Sequence, residues 1–128
     1  MNKLNTTMPL ARYEIASGST VAPGNLVALN ADGKAVPAAD TAGLTVIGFA
    51  GRSDAEGLDV HDGVVGFANA SGAAALTRAD RGAAAYVVDA VTVGKSSTNS
   101  IAAGIVVDVF DGEVFVECTP AALAAARA

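Results

Sequence analysis

The sequence predicts an all-β protein, a small β-barrel or β-sandwich of short antiparallel strands with an extended N-terminal arm and a short C-terminal helix. Three observations support this fold class. Short runs rich in Val, Leu and Ile recur along the chain, separated at regular intervals by Gly, Asp and Asn. No helical stretch intervenes between these turn signals. The last third holds two β-branched runs joined by Asp111-Gly112, which is the strongest short-range signal for a β-hairpin.

Residues 1–13, MNKLNTTMPLARY, are predicted to form the arm because they are polar and unpatterned. They carry Lys3 and Arg12 without a carboxylate, whereas the remaining residues hold all 13 acidic side chains against six cations. The arm therefore has the opposite charge to the body. Two interpretations stay open, a frayed terminus and a segment that becomes ordered on a partner surface. The body, residues 14–128, is predicted to form one domain.

The body is predicted to consist of short strands that end at identifiable turn residues. Pro23-Gly24 precedes the first strand and Asn30-Ala31-Asp32-Gly33 forms the next turn. Val60 and residues 64–68 are expected to pair around Asp62-Gly63. Residues 73–85 are rich in Ala and allow one or two helical turns that end at Asp80-Arg81-Gly82. The other predicted strand regions are 26–29, 34–36, 44–51 and 84–94, the last followed by a polar loop at 95–100.

The segment 104–120, GIVVDVFDGEVFVECTP, predicts the terminal hairpin. Val114 and Val116 alternate with Glu113, Phe115 and Glu117, so that one face of this strand is apolar. Asp and Gly tolerate the positive φ angles of a type I′ turn. This region therefore predicts two antiparallel strands joined by a two-residue loop.

Residues 120–128, PAALAAARA, predict a short C-terminal helix. Thr119 is a suitable N-cap, Pro120 fits the first helical position, and strong helix formers follow. A helix of this length is unstable in isolation. We therefore expect it to be frayed.

Composition restricts the classes of function. Hydrophobic residues make up 52% of the chain but aromatic residues only 5%, so the core consists of small side chains that each contribute little burial. Such a domain is modestly stable alone, or an oligomer interface completes its core. The net charge of −5 argues against a nucleic-acid partner. No segment is apolar for long enough to predict a membrane span, no signal peptide is evident, and the single Cys118 excludes an internal disulfide and fits a reducing cytoplasm.

Candidate chemical sites are few. His61 and Cys118 could form a catalytic pair, but nothing near them in sequence orients a base, and an exposed loop histidine with a core thiol is the simpler interpretation. The acidic segment 54–62 does not follow the ligand order of an EF-hand, and a solvated loop with a strand edge accounts for it better. Lys34 lies at a turn, as the modified lysine of biotin and lipoyl carriers does, but its neighbours match neither carrier sequence. No Gly-rich loop precedes a helix, so no nucleotide site is predicted. We expect no enzyme activity, cofactor, metal or small-molecule substrate.

The order of elements resembles the small decoration, or cement, proteins of tailed bacteriophage heads. The similar segments are VAPGNLVALNADGKAVPAAD, GLTVIGFAGRSDAEGLDVHDGVVGFANA, GAAAYVVD and AAGIVVDVFDGEVFVEC. They match a progression of Pro-Gly-x-hydrophobic-Val, Asp-Gly-Lys and hydrophobic-Gly-hydrophobic-Ala, which finishes in a Gly-x-Val-x-Asp hairpin. The resemblance spans about residues 14–118 and depends on the spacing of Gly and Val.

The resemblance implies a β-barrel that trimerises on the outer surface of the virion and binds across junctions of the major capsid protein, after assembly in the host cytoplasm. Members of this family typically reach the shell with an N-terminal arm. The implied capsid-binding residues of this chain are Lys3, Leu4, Met8, Pro9, Leu10 and Arg12. Alternatives are another phage structural module, such as a head-fibre base or a tail-tube-like domain, and a small carrier or enzyme domain.

Overall fold

The computed structural model describes residues 11–128, and within them the fold is mostly β, as predicted. Ten strands, two short 3-10 turns and one α-helix follow one another along the chain. The strands are β1 (Ala11–Tyr13), β2 (Leu26–Leu29), β3 (Ala35–Pro37), β4 (Thr45–Asp54), β5 (Gly57–His61), β6 (Gly63–Asn69), β7 (Ala84–Asp89), β8 (Thr92–Gly94), β9 (Ala102–Phe110) and β10 (Glu113–Cys118). The 3-10 turns are Gly72–Ala74 and Arg78–Asp80, and the helix α1 is Pro120–Arg127.

The first five strands form one antiparallel sheet in the order β1-β5-β4-β2-β3. The sheet curls until its two ends meet, because Ile15 forms a parallel bridge with Ala35. The amide of Ala16 donates to the Ala35 carbonyl at 2.9 Å, and the amide of Ala35 donates to the Glu14 carbonyl at 2.8 Å. The residues directly after β1 thus pair with β3 and join one edge of the sheet to the other.

The second half of the chain forms a closed barrel in the order β10-β6-β8-β7-β9. The predicted terminal hairpin is confirmed, since β9 and β10 pair with Phe110 opposite Glu113. Asp111 has φ 55° and Gly112 has φ 79°, which is the positive pair that a type I′ turn requires. Strand β6 pairs with β10 antiparallel and with β8 in parallel, which closes the barrel.

One predicted pairing is wrong. Val60 and residues 64–68 do form strands, but β5 and β6 do not pair with each other, because β5 lies between β1 and β4 in the first sheet. Strand β6 lies between β10 and β8 in the barrel. Asp62 is therefore the point at which the chain passes from one sheet to the other. Asp-Gly between two apolar runs indicates a change of direction, and does not by itself say that the two runs hydrogen-bond.

Two hydrophobic clusters pack against opposite faces of the first sheet. The larger fills the barrel and includes Leu26, Val46, Val87 and Val116. The smaller lies inside the curled sheet and includes Val27, Leu58 and Val60. Neighbouring residues of β2 point into different clusters, because side chains alternate across a strand. This explains why Leu26, Val27 and Ala28 are all fully buried.

The C-terminal helix is confirmed, but the expectation that it is frayed is wrong. The Thr119 hydroxyl accepts a hydrogen bond from the Ala122 amide at 3.1 Å, and Pro120 occupies the first turn. Leu123 is only 2% exposed and packs in the larger cluster. Tertiary packing supplies the stability that eight residues lack by themselves. The helical turns expected within 73–85 are present as 3-10 turns, and Thr77 and Asp80 form a capping box at the second.

Candidate interaction surface

Arg12 fixes the first strand to the β4–β5 hairpin. Its Nη2 lies 2.9 Å from Asp54 Oδ1 and donates to the Gly57 carbonyl at 3.0 Å. Its Nε lies 3.0 Å from Asp59 Oδ1. The guanidinium group thus has three partners within the domain, two of them charged. The structure gives Arg12 a role in holding the sheet together, and the capsid contact that the resemblance implies for it stays a prediction.

The same observation corrects the predicted arm boundary. Residues 11–13 were assigned to the arm, yet they form β1 and pair with Leu58, Asp59 and Val60. The short apolar alternation of Ala11, Arg12 and Tyr13 is too brief to indicate a strand from sequence alone. The other five implied capsid contacts, Lys3, Leu4, Met8, Pro9 and Leu10, lie outside the described residues.

The side of the barrel turned away from its core exposes apolar side chains. Residues on this barrel outer face lie opposite one another across β9, β10 and β6, in three rows. The rows are Phe110, Glu113 and Ala68, then Asp108, Phe115 and Gly66, then Ile105, Glu117 and Val64. Phe110 is 60% exposed and Val64 is 58% exposed. Apolar patches on a sheet face are typical of interaction sites.

Phe110 is held in place by charged neighbours at the hairpin tip. The guanidinium carbon of Arg78 lies 5.6 Å from the centre of the Phe110 ring, within cation–π range. Arg78 Nε also donates to the Val109 carbonyl at 3.1 Å. Arg78 and Arg81 share one carboxylate, Asp108, at 3.4 and 3.9 Å. No local signal in the sequence connects Phe110 to an arginine 32 positions earlier.

Cys118 and His61 do not have the surroundings of a catalytic pair. Cys118 is fully buried, and burial raises the pKa of its thiol to about 12. A thiol with that pKa holds its proton at neutral pH and is a poor nucleophile. His61 was expected in an exposed loop, but it ends strand β5, is half-buried, and stacks on Phe49 with ring centres 6.2 Å apart.

The acidic segment 54–62 is structural rather than a cation site. Most of it is the tight β4–β5 turn and strand β5, and β5 is an inner strand because β1 covers it. The interpretation of this segment as a sheet edge is therefore wrong. The carboxylates of Asp54 and Asp59 both form ion pairs with Arg12. Within residues 11–128, no three His, Cys, Asp or Glu side chains converge as metal ligands would.

Lys34 and Asp40 both serve local structure. Lys34 Nζ lies 3.3 Å from Glu14 Oε2, so this turn lysine forms an ion pair across the seam of the curled sheet. The Asp40 carboxylate accepts hydrogen bonds from the amides of Thr98 at 2.9 Å and Asn99 at 2.8 Å. The Asn99 amide is the main cause that lowers the pKa of Asp40.

Beside Asp40 is an open groove of about 410 Å³, lined largely by Ser and Thr side chains, which the sequence did not indicate.

Comparisons with known proteins identify no relative of the chain. No protein-family model matches it, and neither curated proteins nor solved structures give a match. Among residues 11–128 there is no helix with the length and apolar character needed to span a bilayer.

Proposed function

We propose that this chain decorates and stabilises the head of a tailed bacteriophage by binding on its outer surface across junctions of the major capsid protein, as a trimer. The proposal combines the resemblance of residues 14–118 to head decoration proteins with the barrel that this resemblance implies. The observation that carries it furthest is the barrel outer face, where Phe110 and Val64 are exposed on a rigid sheet. A rigid apolar surface is suited to binding a protein partner.

The mechanism is thermodynamic and requires no chemistry. A shell filled with DNA is under outward pressure, which tends to separate subunits at their junctions. A protein that binds across a junction stabilises only the assembled state, by the same mass-action linkage that any ligand exerts on the form it binds. Three arms on one trimer act together through their effective concentration, so each contact can be weak. A threefold-symmetric binder also matches a threefold position without loss of contacts.

In this proposal Arg12 anchors the C-terminal end of the arm to the domain. The ion pairs of Arg12 with Asp54 and Asp59 hold β1 in the sheet. Residues 1–10, which include Lys3, Leu4, Met8, Pro9 and Leu10, precede β1 in the sequence and would supply the contacts to the shell. Force on a bound arm would act on a paired strand rather than on a loop.

The test is cosedimentation of the purified protein with undecorated, expanded phage heads. A stoichiometry of one bound trimer per threefold position of the head supports the proposal. Binding only to tails indicates a different phage structural module. A variant lacking residues 1–10 should keep its β circular-dichroism spectrum and lose affinity for heads. The deletion must stop before Ala11, since removing β1 would expose β5. Full-affinity binding of the truncated protein would exclude the arm as the contact.

A further inference from the structure

We infer that the tip of the β9–β10 hairpin, Phe110 and Asp111, inserts into an apolar groove beside α1 of a second copy of this chain, where Arg127 pairs with the Asp111 carboxylate. The contact joins two different sites, so it runs head to tail and can close a ring of three copies. This inference names the self-contact of the trimer in the proposed function, and it rests on that proposal for the number of copies and for its biological role.

The groove is a small apolar cleft where strands β1 and β4 meet the C-terminal helix. Its volume is about 220 Å³, which is below the range of about 300–1,000 Å³ typical of small-molecule sites and suits one large side chain. Leu123, which lines it, belongs to the larger hydrophobic cluster, whereas Tyr13 and Ile47 pack against the smaller one. Exposed Pro120 completes the apolar lining. The groove is therefore shaped for a protein side chain.

Arg127 gives this groove a positive charge that has no internal counterpart. Its guanidinium donates to the carbonyl of Val46, which fixes its position and leaves further N–H donors for a ligand. No Asp or Glu of residues 11–128 lies within 4 Å of Arg127, and residues 1–10 contain neither amino acid. The groove thus suits an apolar side chain that has a carboxylate next to it.

The hairpin tip has this complementary character. Phe110 is 60% exposed, and Asp111 follows it directly at an exposed turn position. No Lys or Arg of the described residues lies within 4 Å of the Asp111 carboxylate. The guanidinium of Arg78 lies over the Phe110 ring and donates to the Val109 carbonyl, so the tip is already ordered. An ordered group loses less entropy on binding, and exposed aromatic side chains often dominate an interface.

The tip belongs in the groove of another copy because it is remote from its own. Strand β10 separates the turn from α1, and its six residues span roughly 20 Å when extended. The first ten residues of the chain are a poorer occupant, since they carry Lys3 and no carboxylate to pair with Arg127. In a head-to-tail ring every copy contributes one tip and one groove, so no site is left open.

Sedimentation equilibrium of the full chain over a range of concentrations tests this contact. The parent protein should associate and stop at three copies. Phe110→Ala should weaken association by about thirtyfold per contact, as expected for a hot spot. Arg127→Glu should weaken it by about tenfold, because two like charges then face each other. Asp111→Asn removes the charge but keeps the turn, and it should weaken association by about fivefold.

A double variant tests whether Asp111 and Arg127 act on each other. Asp111→Asn and Arg127→Gln each remove one charge of the proposed ion pair. The combination should associate about as strongly as either single variant, because the second change removes an interaction that is already lost. Effects that multiply would show that the two side chains do not meet, and would overturn the proposed pairing.

Mixing two variants distinguishes a head-to-tail contact from a symmetric one. Phe110→Ala keeps an intact groove, and Arg127→Glu keeps an intact tip. An equimolar mixture should therefore associate more strongly than either variant alone, through one intact contact per pair. A contact between identical faces would leave the mixture no stronger than the better of the two variants, which would contradict the inference.

Arg52→Glu is the matched control for Arg127→Glu. Arg52 is also exposed and also has no Asp or Glu of the described residues within 4 Å, but it does not line the groove. This variant should leave association unchanged. Urea unfolding of every variant separates lost association from lost folding, and Arg127→Gln retains a donor for the Val46 carbonyl if the charge reversal impairs folding.

Three results would overturn the inference: a protein that stays monomeric at every concentration, an assembly that grows beyond three copies, or association that is insensitive to both Phe110→Ala and Arg127→Glu. Cosedimentation with heads is measured separately. A monomer that still binds heads would leave the head-binding role standing without this contact. Head binding that depends on Arg127 while association does not would place a shell segment in the groove instead of a second copy.

Discussion

At the scale of single residues, Gly104 shows how closely the strands of the barrel approach. It lies in β9 with φ 144° and is buried. A Cβ at this position would collide with the carbonyl oxygen of Glu117 and lie 2.7 Å from the Val116 Cγ1. The obstacle is backbone of the neighbouring strand, which cannot move aside as a flexible side chain can. Glycine is required here for space as well as for φ.

We expect Gly104→Ala to lower the free energy of unfolding by about 3 kcal/mol, because overpacking adds to an unfavourable backbone conformation. Gly18→Ala is the matched control, since Gly18 has φ 83° and nothing within 4 Å of its Cβ position. That variant should cost about 1 kcal/mol, from the conformation alone. Urea unfolding of both variants measures the difference. Equal losses of unfolding free energy in the two variants would show that β9 and β10 can move apart at this position at no energetic cost.

Asp40 provides a second test at this scale. The Asn99 amide and other donors lower the pKa of Asp40 in the folded state. A lowered folded pKa means that the unfolded state binds more protons, so the contribution to stability is present above the ordinary pKa of about 3.9 and is lost as the pH falls through the folded value. Asp40→Asn should therefore be less stable at neutral pH, and should lose less stability than the parent protein on acidification below about pH 4.

The measurement is the free energy of unfolding as a function of pH for the parent protein and Asp40→Asn. Asp32→Asn serves as a control, because Asp32 is exposed in the β2–β3 turn and its carboxylate accepts no hydrogen bond from the residues described. Parallel acid curves for the parent and Asp40→Asn would contradict the role given to the Asn99 and Thr98 amides.

At the scale of elements, the β9–β10 hairpin combines a two-residue turn of defined geometry with a β-bulge in the paired strands. The turn fixes the pairing of Phe110 with Glu113, but the register shifts between Phe115 and Val116. At this shift Val107 has no register partner on β10, because Phe115 pairs with Asp108 and Val116 pairs with Val106. An extra residue in one strand bends it and increases its twist, which a five-stranded barrel needs in order to close. The hairpin thus supplies both the exposed tip and the curvature beneath it.

We expect Asp111→Val to lower the free energy of unfolding by about 1–2 kcal/mol, because a β-branched residue is strained at φ 55°. Asp111→Asn should be nearly neutral, since Asn tolerates this conformation. Thermal unfolding monitored by circular dichroism compares the two. If both variants unfold at the parent temperature, the turn does not determine the register of the hairpin.

The elements also show which features of the fold a sequence can predict. Strands bounded by Gly, Asp and Asn were found because turn chemistry is local, and Thr119-Pro120 marked the start of the helix for the same reason. The pairing of β5 with β1 was not found, since Arg12 and Asp59 are 47 positions apart and β1 has only three residues. The contact between Phe110 and Arg78 was not predicted for the same reason, since the two residues are far apart in the sequence. Contacts distant in sequence depend on the three-dimensional fold and leave no local pattern.

At the scale of the whole molecule, the first sheet serves two cores at once. Its outer surface packs against the barrel interior and α1, while its inner surface encloses a smaller cluster around Leu58 and Val60. Cys118 lies in the larger cluster at the end of the last strand. Burial of strands on both faces offsets the small size of the Ala and Val side chains, because little apolar area in the sheet remains in contact with water.

Cys118 reports on the cooperativity of this arrangement. A buried thiol with pKa about 12 should react with a disulfide reagent only when the barrel opens. We expect labelling near pH 8 to be slow without denaturant, and its urea dependence to match that of global unfolding. Rapid labelling of the native protein would show that the β10–α1 corner opens separately from the rest of the domain.

The seam at Ile15 and Ala35 has a consequence for behaviour in crowded conditions. A free edge strand offers unsatisfied amides and carbonyls to any neighbouring chain and can start fibrous growth. In this protein the parallel bridge between Ile15 and Ala35 joins the two edges of the first sheet through the chain's own backbone. The second sheet has no free edge because it is a closed barrel. Many copies packed side by side would therefore meet through side chains, and a mutation that opens the seam should convert an orderly array into an aggregate.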